Sequence, residues 1–249
     1  MRSVAVQAVV LAGGLATRMR PQTLTVPKSL LEVAGRPFVD WQLERLAACG
    51  YDRVLMCVGY LGDQVRSRVG TGAQFGLDVQ WSEDATTSPS DPSQAPKLLG
   101  TAGALRSALH LLDETFLVTY GDSYLPFDYG EPLKLLEHSE DCDGVMAVYM
   151  NSGQWDTSNV VTDGTWVIRY EKGCLDPAYD HIDYGATALR RAIVSSIEPG
   201  RACGLDALQH ALAARKRLRA FVARDRFFEI GSPDGLAELD RHLRTRTCV

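Results

Sequence analysis

Residues 11–28 read Leu-Ala-Gly-Gly-Leu-Ala-Thr-Arg-Met-Arg-Pro-Gln-Thr-Leu-Thr-Val-Pro-Lys. The apolar run Val4 to Leu11 that leads into them predicts a buried parallel strand. It gives way at once to Gly13-Gly14, then Arg18, then Pro27-Lys28. Paired glycines let the backbone come close to a ligand and aim several N–H groups at one place. Arg18 and Lys28 add cationic donors that suit phosphate, and a bare strand-to-helix turn would need neither. A strand ending in such a loop is a place to hold a nucleoside triphosphate. The chain has no G-x-x-x-x-G-K-[ST] and no G-x-G-x-x-G, so the P-loop and the dinucleotide fingerprint are both excluded.

Working outward, strands and helices alternate through the first half. The pattern predicts a helix over Phe38–Cys49 closed by Gly50, a strand over Arg53–Val58, and a short helix over Leu61–Val69. A strand over Leu77–Trp81, a helix over Ala102–Leu112 and a strand over Thr115–Tyr120 follow. Such alternation implies an α/β fold on a mostly parallel sheet, with ligand at the carboxyl ends of its strands. Ser82–Lys97 breaks the rhythm; it is rich in Ser, Thr, Pro, Asp and Ala and reads either as a lid or as a disordered insertion. In the second half Gly144–Met150, Ser158–Val161, Thr165–Tyr170 and His181–Leu189 are strand-like, some of them antiparallel. Leu205–Ala214 is helical, Leu218–Ala223 and Phe227–Ile230 are short strands, and Pro233–Leu243 is a closing helix capped by Ser232.

Composition sets the bounds. The 249 residues, 45% of them hydrophobic, suffice for one large α/β domain. A net charge of −5 and the absence of a long basic run argue against a nucleic-acid surface, and Arg215-Lys216-Arg217 with Arg219 reads as a solvated helix end. Six cysteines are scattered without a C-x-x-C, so a reducing cytoplasm is expected and neither disulfides nor a cysteine metal site are; Cys57 reads as a small core residue. No segment is long enough to span a membrane, and most of the five histidines read as helix-surface residues without ligand spacing.

The pattern L-A-G-G-x-x-T-R-x-x-P-x-T-x-x-x-P-K, with Gly13, Gly14, Thr17, Arg18, Pro21, Thr23, Pro27 and Lys28 all in place, resembles the signature of the sugar-1-phosphate nucleotidylyltransferases. The resemblance covers nearly the whole chain and is strongest before residue 125. It implies a Rossmann-like (GT-A-like) mostly parallel mixed sheet in three α/β/α layers. It also implies a single domain over 1–249, with a nucleotide-binding half (1–125), a sugar-phosphate-binding half (126–249) and no C-terminal β-helix. The pattern around Leu99-Gly100-Thr101-Ala102-Gly103-Ala104-Leu105 looks most like the mannose- and heptose-1-phosphate guanylyltransferase branch, with dTTP, UTP and CTP as alternatives to GTP and a heptose, hexose or cyclitol phosphate as the acceptor.

The resemblance implies roles residue by residue. Leu11, Ala12, Gly13, Gly14, Thr17 and Arg18 face the nucleotide, as do Thr101 and Gly103, which open a helix and whose backbone groups can meet a base edge. Arg18, Lys28 and Asp122 are the catalytic set. Asp122, in Tyr120-Gly121-Asp122 at the end of an apolar strand, is a Mg2+ ligand; a hard cation takes oxygen ligands and shares them with phosphates. Phe228-Glu229-Ile230-Gly231-Ser232-Pro233 matches the stretch that carries the second metal carboxylate. Glu229 stands there for the usual Asp, and reads either as the second ligand or as a surface strand residue. Tyr120, Gly121, Glu171, Lys172, Asp183 and Gly185 line the sugar phosphate, Asp183 in place of an asparagine, so that it accepts hydrogen bonds but donates none when ionised. The implied partners are an NTP and a sugar 1-phosphate, with no nucleic acid and no membrane; a homo-oligomer is compatible. A non-catalytic nucleotide-sensing subunit of the same fold is the reading from another class.

Overall fold

The computed structural model describes residues 6–83 and 99–247. In chain order the elements are β1 (Gln7–Ala12), β2 (Glu32–Val33), β3 (Arg36–Pro37), α1 (Phe38–Ala48), β4 (Arg53–Val58), α2 (Gly62–Val69), β5 (Asp78–Glu83), α3 (Gly100–Ser107), β6 (Thr115–Tyr120) and β7 (Ser123–Tyr124). They continue with α4 (Gly130–Glu137), β8 (Gly144–Met150), β9 (Val160–Thr162), β10 (Val167–Tyr170), β11 (His181–Arg190), α5 (Arg191–Ser195), α6 (Leu205–Ala214), β12 (Leu218–Ala223), β13 (Phe228–Glu229) and α7 (Pro233–Thr247). The fold class is the expected Rossmann-like one, a mostly parallel mixed sheet with flanking helices.

Two compact units form. The first gathers the described parts of residues 1–96, Thr119–Leu125 and the chain from Phe227; the second gathers Pro126–Arg226 and the described part of 97–118. The units therefore do not follow a division at residue 125. The chain leaves the first unit, returns to it for the seven residues around Gly121-Asp122, and returns again with β13 and α7.

In the first unit β1, β4 and β5 run parallel, pairing Gln7 with Arg53 through Ala12 with Val58, and Arg53 with Asp78 through Val58 with Glu83. Both faces of β1 are covered, which is why Ala8, Val9 and Val10 form an unbroken apolar run. Helix α1 buries Phe38, Val39, Gln42, Leu43 and Leu46 at helical spacing and stops before Gly50, whose φ of +86° only glycine adopts readily. A second cluster joins Val33, Phe38, Tyr124, Phe228, Ile230, Leu239 and Leu243, so α7 fastens the short β7–β13 ribbon to the unit.

In the second unit β8 runs parallel to β12 and antiparallel to β11, while β9 pairs with β10 and touches β11 at Val160–His181. The β11 register shifts between Asp183 and Thr187, around Gly185 with φ +88°. Such a bulge re-aims side chains.

Several expectations shift. The helix expected to Leu112 is α3 to Ser107, followed by a separate 3-10 turn at Leu109–Leu111. The closing helix runs to Thr247, and the Ser232 hydroxyl accepts the Gly235 N–H at 3.1 Å. Helices α4 and α5 and the ribbon strand β7 had no sequence reading. Arg217 and Arg219 are not merely solvated: Arg217 pairs with Asp143 at 2.8 Å, and Arg219 reaches the Ser139 hydroxyl and stacks on Trp166. His181 is a buried strand residue beside Asp180, because the antiparallel β8–β11 pair covers it. Of the stretch Ser82–Lys97, Ser82 and Glu83 close β5 and the rest lies outside the described residues. Cys57 is buried, as expected. Among the described residues no helix is long and apolar enough to cross a membrane.

Candidate active site

The carboxyl ends of the strands meet through glycines. A Cβ on Gly59 would fall 2.8 Å from the Gly13 carbonyl oxygen, and one on Gly121 would fall 2.8 Å from Ala12 Cβ. Those backbones touch because nothing projects between them. Gly14 differs: a Cβ there would meet nothing within 4 Å, so its neighbourhood is open.

Beyond Gly14 the chain folds into three 3-10 turns, Thr17–Met19, Gln22–Leu24 and Lys28–Leu30. Met19 is buried and pins the first. Ala16 holds the left-handed conformation, and its carbonyl accepts the Thr23 hydroxyl at 2.8 Å. From the β4–α2 side the Tyr60 hydroxyl donates to Leu24 O at 3.0 Å and Gln64 Nε2 to Thr25 O at 2.9 Å. Much of the signature therefore builds the loop. Arg18 does not: it is exposed, and among the described residues it makes no hydrogen bond or ion pair.

Lys28 Nζ lies 2.7 Å from Asp122 Oδ2, with side-chain exposures of 17% and 27%. The turn bearing Asp122 is fixed by the Gly121 N–H on Leu11 O at 2.9 Å and by the Ile230 N–H on Asp122 O at 3.0 Å. That second bond extends the antiparallel register Glu229–Ser123 and Phe228–Tyr124, so Asp122 and Glu229 stand on adjacent backbones. Glu229 is exposed, and its Oε2 and an Arg18 guanidinium nitrogen lie 3.9 and 3.6 Å from one point, the position of a Cβ on Gly231. Arg18, Lys28, Asp122 and Glu229 thus gather in the first unit. Two carboxylates without histidine or thiol suit Mg2+, which is held by one or two carboxylates and completes its shell with phosphate oxygens. No group of three or more His, Cys, Asp or Glu stands ready to cage a metal among the described residues.

The other candidates lie in the second unit, apart from Tyr120, which ends β6, and Gly121, whose role in the structure is the contact with Ala12. Thr101 and Gly103 have structural tasks beside the one expected. The amides of Ala102 and Gly103 both donate to Cys203 O, at 3.0 and 3.1 Å, and are not available to a base. Thr101 does not cap its own helix: its hydroxyl accepts the Leu205 N–H at 2.7 Å and caps α6 instead. Gly103 is glycine because a Cβ would press on Leu99 and on Arg201 O.

Glu171 and Lys172 are exposed where β10 ends, and Tyr179 Oη lies 3.5 Å from Glu171 Oε2. Asp183 sits at the bulge. Its Oδ1 accepts the Gly185 N–H at 2.9 Å, its Oδ2 the Tyr170 hydroxyl at 3.2 Å, and its own N–H donates to Asn159 Oδ1 at 2.8 Å. Burial pushes this carboxyl above the ordinary range, while the Gly185 amide and the Lys172 ammonium pull the other way. A carboxyl so placed keeps a proton to higher pH than a solvated one, and with it the capacity to donate.

Comparison with known proteins places this geometry in a family. The nucleotidyl transferase family model matches residues 7–164. A provisionally named mannose-1-phosphate guanyltransferase of Sulfolobus acidocaldarius is 28% identical over 96% of this chain and 64% of its own length. The N-acetylmuramate alpha-1-phosphate uridylyltransferase of Neisseria meningitidis is 36% identical over 49% of each. The chain thus spans about half to two thirds of the length of these relatives. A Bacillus anthracis crystal structure, provisionally a glucose-1-phosphate thymidylyltransferase and in complex with a sucrose, superposes with a TM-score of 0.81 at 18% identity over 96% of both chains. The chain belongs to the nucleotidyl transferase family.

Proposed function

We propose that this family member transfers a nucleotidyl group from an NTP, with GTP favoured, to a heptose or hexose 1-phosphate, giving an NDP-sugar and pyrophosphate. A phosphate oxygen of the sugar phosphate attacks the α-phosphorus in line. The new P–O bond forms as the bond to pyrophosphate breaks. No protein nucleophile is required, so positioning and charge neutralisation supply the catalysis.

Gly13 and Gly14 offer N–H groups to the triphosphate, next to Leu11, Ala12 and Thr17. Arg18 steadies the β- and γ-phosphates and the leaving pyrophosphate, and Lys28 neutralises charge between the reacting phosphates. Asp122 and Glu229 would hold Mg2+, which when bound supplies further neutralisation of phosphate oxygens. Glu171 turns toward sugar hydroxyls and Lys172 toward the sugar phosphate, with Tyr120, Gly121, Asp183 and Gly185 shaping the rest of that site. Thr101 and Gly103 act on the base through shape alone, given that the neighbouring amides are committed.

The observation that carries this reading is the charge arrangement of the first unit: an exposed Arg18 without a carboxylate partner among the described residues, and Lys28 in contact with Asp122 at 2.7 Å. The guanylyl relative favours GTP and the uridylyl relative keeps UTP in play. The acidic net charge supports a protein that takes no nucleic acid or membrane partner, and described cysteines outside any disulfide support a cytoplasmic one; a homo-oligomer is compatible with the reading.

The test is Mg2+-dependent pyrophosphate release with GTP, dTTP, UTP, CTP and ATP, each against a pool of hexose and heptose 1-phosphates. Release with one nucleotide that depends on the pool establishes the transferase and names its base. Tight nucleotide binding without release in any combination would overturn it in favour of a nucleotide-sensing role, the reading that the substituted Glu229 favours.

A further inference from the structure

The turn that carries Asp122 has a third anchor, and it comes from inside the core. Gln42 lies on the buried face of α1, among Phe38, Val39, Leu43 and Leu46, and is fully buried. Its Nε2 donates both hydrogens: one to Tyr120 O at 2.7 Å, one to Ser123 O at 3.1 Å. Those two carbonyls flank Gly121-Asp122 on either side. With the Gly121 amide on Leu11 and the Asp122 carbonyl on Ile230, the backbone of the turn is held from three directions.

The same helix holds the other member of the ion pair. At its first residue the Phe38 N–H donates to Leu31 O at 2.9 Å, and the Leu31 N–H donates to Lys28 O at 3.0 Å. One rigid element therefore reaches the Lys28 turn at its N-terminus and the Asp122 turn one helical turn later. The amide is not there for the core's sake. Among the described residues Gln42 Oε1 and the Ser123 hydroxyl are buried without a hydrogen-bond partner, so the amide keeps its two donors on these carbonyls at the cost of an unsatisfied oxygen.

We infer that Gln42 is a positioning residue for the metal carboxylate: its amide clamps the carbonyls on both sides of Gly121-Asp122 and so sets where Asp122 stands relative to Lys28. This rests on the proposed role of Asp122. A residue that orients a metal carboxylate without touching the metal changes metal affinity or turnover by about 10–100-fold when lost.

The experiment compares wild type with Gln42→Met, which keeps the volume and loses both donors, and Gln42→Glu, which in its protonated form keeps one. Three readouts are taken on the full chain: thermal midpoint, binding of Mn2+ alone by EPR, and kcat and KM for pyrophosphate release. The expected result is a Gln42→Met protein that folds with a lowered midpoint, since two buried carbonyls lose their donor, and whose folded form binds Mn2+ about tenfold or more weakly, with kcat lowered and the KM for nucleotide little changed. Gln42→Glu should lie between the two. A merely structural role would lower the midpoint and leave Mn2+ binding of the folded fraction intact, and that result overturns the inference. Wild-type Mn2+ affinity in either folded variant overturns it as well, as does failure of both variants to fold. If the wild-type protein binds Mn2+ and transfers to no sugar phosphate, the transferase reading falls while the Mn2+ titrations still decide the role of Gln42. A wild-type protein that binds no Mn2+ removes the metal role of Asp122, and the inference with it.

Discussion

Lys28→Met should tighten Mg2+ binding while it lowers turnover. The substitution keeps the apolar stem and deletes the ammonium that sits 2.7 Å from Asp122 Oδ2. Bare Coulomb attraction at that distance is ~6 kcal/mol with an effective dielectric of ~20, an upper bound. Both groups keep some solvent, 17% and 27% exposed, so the net worth is nearer that of a charge-assisted hydrogen bond, about 1.5 kcal/mol at the low end of its range. In the wild-type protein a cation that takes Asp122 must first displace Lys28; in the variant it need not. A difference of about 1.5 kcal/mol corresponds to a dissociation constant about tenfold lower. Without metal the variant should unfold a few degrees earlier, about 3–6 °C for a chain of this size, and saturating Mg2+ should recover more of that midpoint than it adds to the wild type. Turnover should nonetheless fall by about 10²–10³, the typical effect of removing one donor from developing charge. Calorimetric titration of Mg2+, melting curves at several Mg2+ concentrations and pyrophosphate release together test the reasoning. Unchanged or weaker Mg2+ binding in Lys28→Met would refute the competition. Turnover within a few-fold of wild type would refute the catalytic role.

Arg18→Ala should cost turnover about 10²–10³-fold and move the stability by less than ~0.5 kcal/mol, since exposed residues without partners contribute little; a shifted melting midpoint would mean that Arg18 is part of the loop's framework. Thr101→Val should lower stability by about 1 kcal/mol through loss of the α6 cap and, because Val keeps the shape of Thr, leave the choice among GTP, UTP and dTTP unchanged; an altered preference in a nucleotide panel would show that the hydroxyl itself reads the base. For Asp183 the sign follows from its raised pKa. Folded, the carboxyl holds its proton to higher pH than unfolded, so its contribution to stability is complete below the ordinary carboxylate range and is lost as pH rises through the folded value. Asp183→Asn should therefore gain melting midpoint over wild type at pH ~8, with the gain closing toward pH ~4; a gain that is constant with pH would show that the carboxyl is ionised in the same range folded and unfolded.

The strand-and-loop core was legible because its signals are local. An apolar run means a strand covered on both faces, and β1 takes up its Gln7–Leu11 part; glycines at the strand ends mean close backbones, and Gly59 meets Gly13 while Gly121 meets Ala12. What the sequence hid is long-range. The hydroxyl of Thr101 caps a helix 104 residues away, and nothing near Thr101 hints at Leu205. Gln42 reads as one polar residue in an amphipathic helix, since its two acceptors lie about eighty residues downstream. The seven-residue return of the chain at Thr119–Leu125 and the docking of α7 cannot be deduced from periodicity either. They follow from burial of Tyr124, Phe228 and Ile230 against Leu239 and Leu243, a cluster that exists only after the fold has formed.

The exchange of aspartate for glutamate at position 229 is best understood from what holds its backbone. The β7–β13 register fixes Glu229 against Ser123, and the Ile230 amide fixes the next residue to Asp122. On the other side a Cβ on Gly235 would collide with Glu229 O, so the first turn of α7 lies directly on that carbonyl. With ribbon and helix both gripping the main chain, β13 cannot retreat to make room for one more methylene; the side chain has to absorb it. Its Oε2 lies 3.9 Å from the Cβ position of Gly231. Glycine at 231 leaves that space open. The same opening admits the Arg18 guanidinium to 3.6 Å, so the longer carboxylate shares its surroundings with the cation assigned to the leaving pyrophosphate. A residue with a side chain at 231 would occupy the position between them, and would reveal whether the glutamate works through the metal or through Arg18.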